Sequence, residues 1–109
     1  MRTLSFNVKN QIIERDPSCD FSGLVAGTKG YVDAKFTFSS DWDGCAIVVG
    51  FYSKDDVDLP PSVLSKDGTC HIPPEALARH EFKIRVFGKK NGCFITTRPI
   101  SVKQYGGIE

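Results

Sequence analysis

Glu81-Phe-Lys-Ile-Arg-Val-Phe87, then Lys89-Lys90-Asn91-Gly92, then Cys93-Phe-Ile-Thr-Thr97 is the stretch that decides the fold class. Phe82, Ile84 and Val86 alternate with Lys83 and Arg85, the period of a strand with one face buried and one in water. Asn-Gly between two such runs is a strong hairpin signal, because a type I′ turn needs positive φ at both central residues. The same grammar appears twice more. Asp43-Gly44 separates Tyr31–Phe38 from Cys45–Tyr52, and Asp67-Gly68 separates Ser62–Ser65 from Thr69–Ile72, so hairpins are expected at both.

Working outward, Leu4, Phe6 and Val8 alternate with Thr3, Ser5 and Asn7, and Ile100 and Val102 repeat the pattern near the C-terminus. Ala46 to Phe51 is apolar at both parities, which predicts a central strand covered on both sides. Helix has room only at Pro73–Arg79, where proline can open a first turn. Asp16 to Gly30, with Pro17, Gly23, Gly27 and Gly30, reads as a long loop broken by Leu24-Val-Ala26. Gly106 to Glu109 reads as a loose tail. The expectation is all-β: an immunoglobulin-like antiparallel β-sandwich of about eight short strands with one short helical connector, a small barrel being the competitor. Immunoglobulin-like means architecture only, because the Cys…Trp…Cys spacing is absent.

The chain has 109 residues, 40% hydrophobic and 25% charged, which predicts one domain over residues 1–109. Folding at this length buries roughly two-thirds of the surface of the unfolded chain. A single core therefore suffices without metal or disulfide. Lys+Arg of 14 against Asp+Glu of 13 gives +1, too balanced for a protein that tracks phosphates, so no nucleic-acid partner is expected. The longest uncharged apolar run, Ala46–Tyr52, is far short of the ~20 residues that span a bilayer, and no membrane partner is expected. Met1–Asn7 has no apolar signal region, which points to synthesis in a reducing cytoplasm.

Chemistry is sparse in the pattern. Cys19, Cys45, Cys70 and Cys93 are too widely spaced for the close ligand pairs of zinc sites, so four reduced thiols and no metal are expected. Adjacent Cys70 and His71 would diverge on a strand. His80 sits in a polar corner, and no Gly-x-Ser-x-Gly or phosphate-binding glycine loop is present. Asp41, Asp43, Asp55, Asp56 and Asp58 read as turn and loop residues, and Lys89-Lys90 as an exposed turn. No catalytic residue and no cofactor are expected, and the chain reads as a non-enzyme. Trp42, just before a tight turn, reads as a cap on the sandwich end, with an interface anchor as the alternative.

Leu24-Val-Ala-Gly-Thr-Lys-Gly-Tyr-Val32 with Ala34-Lys-Phe-Thr-Phe-Ser-Ser-Asp-Trp-Asp-Gly44 resembles small immunoglobulin-like structural proteins of tailed bacteriophages of Firmicutes. Cys70-His-Ile-Pro-Pro-Glu-Ala-Leu77, Phe82–Gly88 and Ile95-Thr-Thr97 continue the likeness, over residues 4–104. The Phe-x-Phe…Asp-Trp-Asp-Gly element is its most specific part. The resemblance implies a non-enzymatic virion module, as in head-fibre, capsid-decoration or tail-associated proteins. Its partners would be capsid or tail proteins or copies of itself, and its location the virion. It brings no catalytic residue. A small phage-encoded inhibitor of a host defence protein is the alternative. Expected contact residues are Tyr31, Trp42, Tyr52 and Tyr105, since tyrosine and tryptophan anchor interfaces. The expected docking edge is Arg2–Val8, because nothing in sequence precedes it.

Overall fold

The computed structural model describes residues 1–108; Glu109 lies outside the described residues. Among the described residues, nine strands form two packed sheets. One sheet holds β1 (Arg2–Lys9), β2 (Ile12–Arg15), β3 (Val32–Phe38) and β6 (Thr69–His71), in the order β2-β1-β3-β6. The other holds β4 (Ala46–Ser53), β5 (Asp58–Val63), β7 (Glu81–Lys90) and β8 (Cys93–Thr96), in the order β5-β4-β7-β8. The ninth strand, β9 (Ile100–Lys103), pairs with β7 beyond β8. A 3-10 turn (Ser40–Trp42) and a one-turn helix α1 (Pro74–Leu77) complete the β-sandwich.

The core follows from the alternation. Leu4, Phe6, Val8, Val32, Ala34 and Phe36 bury the inner face of the first sheet against Val49, Phe51, Phe82, Ile84, Val86 and Val102 of the second. An aromatic series runs along the first sheet. Phe21 meets Phe6 edge-on at 5.3 Å, Phe6 stacks on Phe36 at 5.3 Å, and Phe38 meets Trp42 at 5.4 Å. Such pairs add to what their buried area already contributes.

Three local expectations are corrected. Only Asn91-Gly92 closes a hairpin of the predicted kind, joining β7 to β8 with φ of 33° and 76°. At Asp43-Gly44 and Asp67-Gly68 the chain instead passes from one sheet to the other, since β3 and β6 lie in the first sheet and β4 and β5 in the second. Positive φ at Gly44 and Gly68 serves any sharp reversal, and local chemistry does not say whether the strands stay paired. A further hairpin joins β1 to β2 at Asn10-Gln11, with Asn10 at φ 53°.

β1 is not an edge. It pairs antiparallel with β2 and parallel with β3, from Arg2↔Val32 to Val8↔Phe38, so the chain's first strand is an interior one. The hairpin and the long loop after it supply the crossover that a parallel pair requires. The expected loose tail is tied down as far as Ile108, whose N–H donates to Ala78 O and whose O accepts from His80 N.

Both open sides of the sandwich are stitched. On one, Ser62 Oγ of β5 donates to His71 O of β6 at 2.8 Å. On the other, Arg98 N donates to Gln11 O at 2.9 Å, Gln11 Nε2 to Thr96 O at 3.1 Å and Arg15 to Ser101 O at 3.1 Å. Pro60 and Pro61 further blunt edge strand β5, having no N–H to offer. A strand added at either side would have to displace these bonds or pass the two prolines.

Candidate docking face

Three of the exposed large apolar residues, Val48, Val63 and Phe94, lie together on one sheet face. β4 was expected to be covered on both sides. Its inner side is, through Val49 and Phe51, but its outer side carries no second layer. The ladders place Val63 opposite Val48 and Val48 opposite Phe87, so β5, β4 and β7 contribute one apolar row. Phe94 of β8 extends it, its ring centroid 6.2 Å from that of Phe87. Val63 is 78% exposed, Phe94 66% and Val48 37%, whereas isolated exposed apolar residues would need no explanation.

The row is held in place from beneath and from its rim. Gly50, next to Val48 on the same face, has no side chain, so the Tyr52 and Phe87 rings close over it. A Cβ there would lie 2.7 Å from the Tyr52 hydroxyl and 2.9 Å from Phe87 Cε2. Burial raises the Tyr52 phenol above its ordinary pKa, against a smaller lowering by Arg85. Arg85 lies 5.4 Å from the Phe87 ring centroid, and its guanidinium donates to Thr97 O at 3.1 Å and Thr96 Oγ1 at 3.3 Å. A cation over an aromatic ring is a recurrent interface element. Lys83, 2.9 Å from Asp56, and exposed Lys89 complete a basic rim along β7. Around the β4 and β5 ends the row runs into a groove of about 550 Å³ floored by Phe36 and Phe38.

The four expected contact residues are not brought together. Tyr52 is the one member that joins this face. Tyr31 is 51% exposed at the start of β3 and Tyr105 70% exposed beyond β9. Trp42, 2% exposed, is a cap and has no surface left for a partner. Its Nε1 donates to Asn10 O at 2.8 Å, joining the β1–β2 turn to the end of the second sheet. Val48, Val63, Phe87 and Phe94 were missed. The signal for them was present: if Phe82, Ile84 and Val86 face inward, Phe87 must face out, and β4 cannot hide both parities under a single sheet.

His71 Nδ1 lies 2.7 Å from Asp33 Oδ1, but the histidine side chain is 83% exposed and Ser62 bonds its backbone, not its ring. All four cysteines are free. Burial, with a smaller contribution from Asp33, pushes the Cys70 thiol up to about 12, leaving it an inert apolar group. Among the described residues no group of three or more potential metal ligands converges, and no helix is long and apolar enough to cross a membrane. Compared with known proteins, the chain matches no family model, no curated protein and no solved structure.

Proposed function

We propose that this protein is a non-enzymatic docking module of a tailed-phage particle, held to capsid or tail proteins or to copies of itself through the outer face of the β5-β4-β7-β8 sheet. One observation carries the docking part: the row Val63–Val48–Phe87, extended by Phe94, puts core-type side chains on a sheet face with no second layer. Covering such a row removes apolar area from water at ~25 cal/mol per Å². The rigid aromatic and arginine members are the types that carry most interface energy. The stitched edges favour docking by this face over docking by strand addition. The particle setting rests on the resemblance of residues 24–44 and of the later tracts described above.

The test is sedimentation of the tagged protein with phage particles released by the bacterium that makes it. A virion module pellets with particles at a fixed ratio and survives washing in high salt, since its contact is mainly apolar. Absence from particles, with capture on a single host protein, would replace this reading by that of a host-factor inhibitor.

A further inference from the structure

The outer face of the second sheet is patterned about β4. One row across it runs Val63–Val48–Phe87, with an apolar side chain on each flank of Val48. Four residues along β4, on the same face, a second row runs Asp58–Tyr52–Lys83, with an acid on one flank and a base on the other. Exposed Asp58 has no ion-pair partner among the described residues. Lys83 gives one of its three donors to Asp56 at 2.9 Å and keeps the others. The face is therefore alike in apolarity and opposite in charge on the two sides of β4. A two-fold axis lying along β4 turns each flank onto the other, and a self-complementary contact requires this combination. An unrelated partner sets no such condition.

The far ends of the face supply a second, independent match. Phe94, 66% exposed on β8, stands opposite Lys89, which stands opposite Ala46. On the other side of β4, at the level of Ala46, lies the groove of about 550 Å³ that Ala46, Val63 and Leu64 wall and Phe36 and Phe38 floor. Phe94 cannot enter the groove of its own chain, because β7 and β4 stand between β8 and β5. Rotation about β4 carries Phe94 of one copy to the groove of the other. An axis across the strands fits less well. Arg85 and Lys89 lie two residues either side of Phe87 on one face, so that axis would set Arg85 over the partner's Lys89, like charge on like.

We propose that a second copy of this chain covers the face, in a two-fold dimer whose axis passes over Val48 close to the direction of β4. The strands of the two sheets cross at about 30°, as in packed sandwiches. Val63 of each copy lies over the partner's Phe87, Asp58 lies over the partner's Lys83, and Phe94 enters the partner's groove. Each contact occurs twice, as in any isologous interface. This inference rests on the reading of the same face as the docking face, and it selects the copy among the occupants named there.

Sedimentation equilibrium of the full-length protein alone is the test, and the expected species has twice the mass of the chain. Asp58→Lys and Lys83→Asp should each weaken the dimer at least about tenfold, because each sets like charges together twice. Phe94→Ala, at an exposed position, should weaken it at least about tenfold by emptying both grooves. Circular dichroism checks that the variants keep the fold. Mixed in equal amounts, the Asp58→Lys and Lys83→Asp chains should associate as the unaltered chain does, since every such contact in the mixed dimer joins opposite charges. A chain that stays monomeric up to about 1 mM, a dimer indifferent to Asp58→Lys or to Phe94→Ala, or a mixture no tighter than its components would each overturn the proposal. Pelleting with particles is a separate readout. A monomer that pellets overturns the dimer and leaves the docking face standing, whereas a dimer that fails to pellet upholds this proposal and removes the particle.

Discussion

The Trp42 indole packs against Gly88: a Cβ at residue 88 would stand 2.7 Å from Cζ3 and 2.8 Å from Cε3 of the ring. The indole reaches this position because the 3-10 turn Ser40–Trp42 carries the chain from β3 across the end of the sandwich towards β4. Its N–H then finds Asn10 O, so a single side chain closes one end of both sheets. Gly88→Ala should therefore cost about 1–3 kcal/mol, the range for overpacking a filled site. Gly50→Ala meets the hydroxyl and Cε2 of Tyr52 and the edge of Phe87, whose rings are only partly buried and can swing aside. Urea denaturation of the two variants should show the larger loss at Gly88.

Turn glycines can be ranked in the same way. Gly68 and Gly92 both have positive φ, 83° and 76°. Alanine at either leaves the comfortable region of backbone space at a cost of about 1 kcal/mol. At Gly68 the new Cβ would also lie 2.8 Å from Phe36 O, a backbone atom of β3, whereas at Gly92 nothing lies within 4 Å. Gly68→Ala is expected to lower the melting temperature distinctly more than Gly92→Ala.

Acid should weaken the fold through three loop carboxylates. Hydrogen bonds from Ser18 to Asp16, from Ser22 to Asp20, and from Ser65 and Thr69 to Asp67 hold all three below their ordinary value of 3.8. Because the folded values are the lower ones, the stabilisation is present above pH 3.8 and is lost as pH falls through the depressed folded values. Urea midpoints measured at descending pH should stay level near neutrality and fall in the acid range. Asp67→Asn should flatten part of that fall. An acid limb unchanged in the variant would remove Asp67 from the account.

Thiol labelling should follow burial. Cys93 is exposed, Cys19 and Cys45 are intermediate, and Cys70 is buried with its thiol pushed up to about 12. A maleimide at neutral pH is expected to modify Cys93 first and Cys70 last, the last only on unfolding. Fast native labelling of Cys70 would show that the β3–β6 pair opens locally.

The sandwich was legible because alternation is a local signal: Phe82-x-Ile84-x-Val86 and Leu4-x-Phe6-x-Val8 state which side each strand buries. The pairing was not. Gly44 and Gly68 announce reversals without saying where the next strand docks, and β1 finds its partner β3 across the long loop after β2. Trp42 showed its capping role by its place before the turn, though not its Gly88 seat. The docking face was half legible. The double-apolar pattern of Ala46–Phe51 was visible, but reading it as two-sided burial assumed a layer that this chain does not supply. Phe87 and Phe94 meet only through the β7–β8 register, which no composition or spacing alone fixes.

The docking face is tested most directly by sedimenting phage particles with the protein and with the double variant Val48→Glu, Phe94→Glu. Both positions are exposed, so the variant should keep the native circular dichroism spectrum and a melting temperature within a few degrees. Buried against a partner, two unpaired carboxylates would be strongly unfavourable. The account predicts that the unaltered protein pellets with particles at a fixed ratio while the folded double variant stays in the supernatant. A folded double variant that pellets as the unaltered protein does would contradict it.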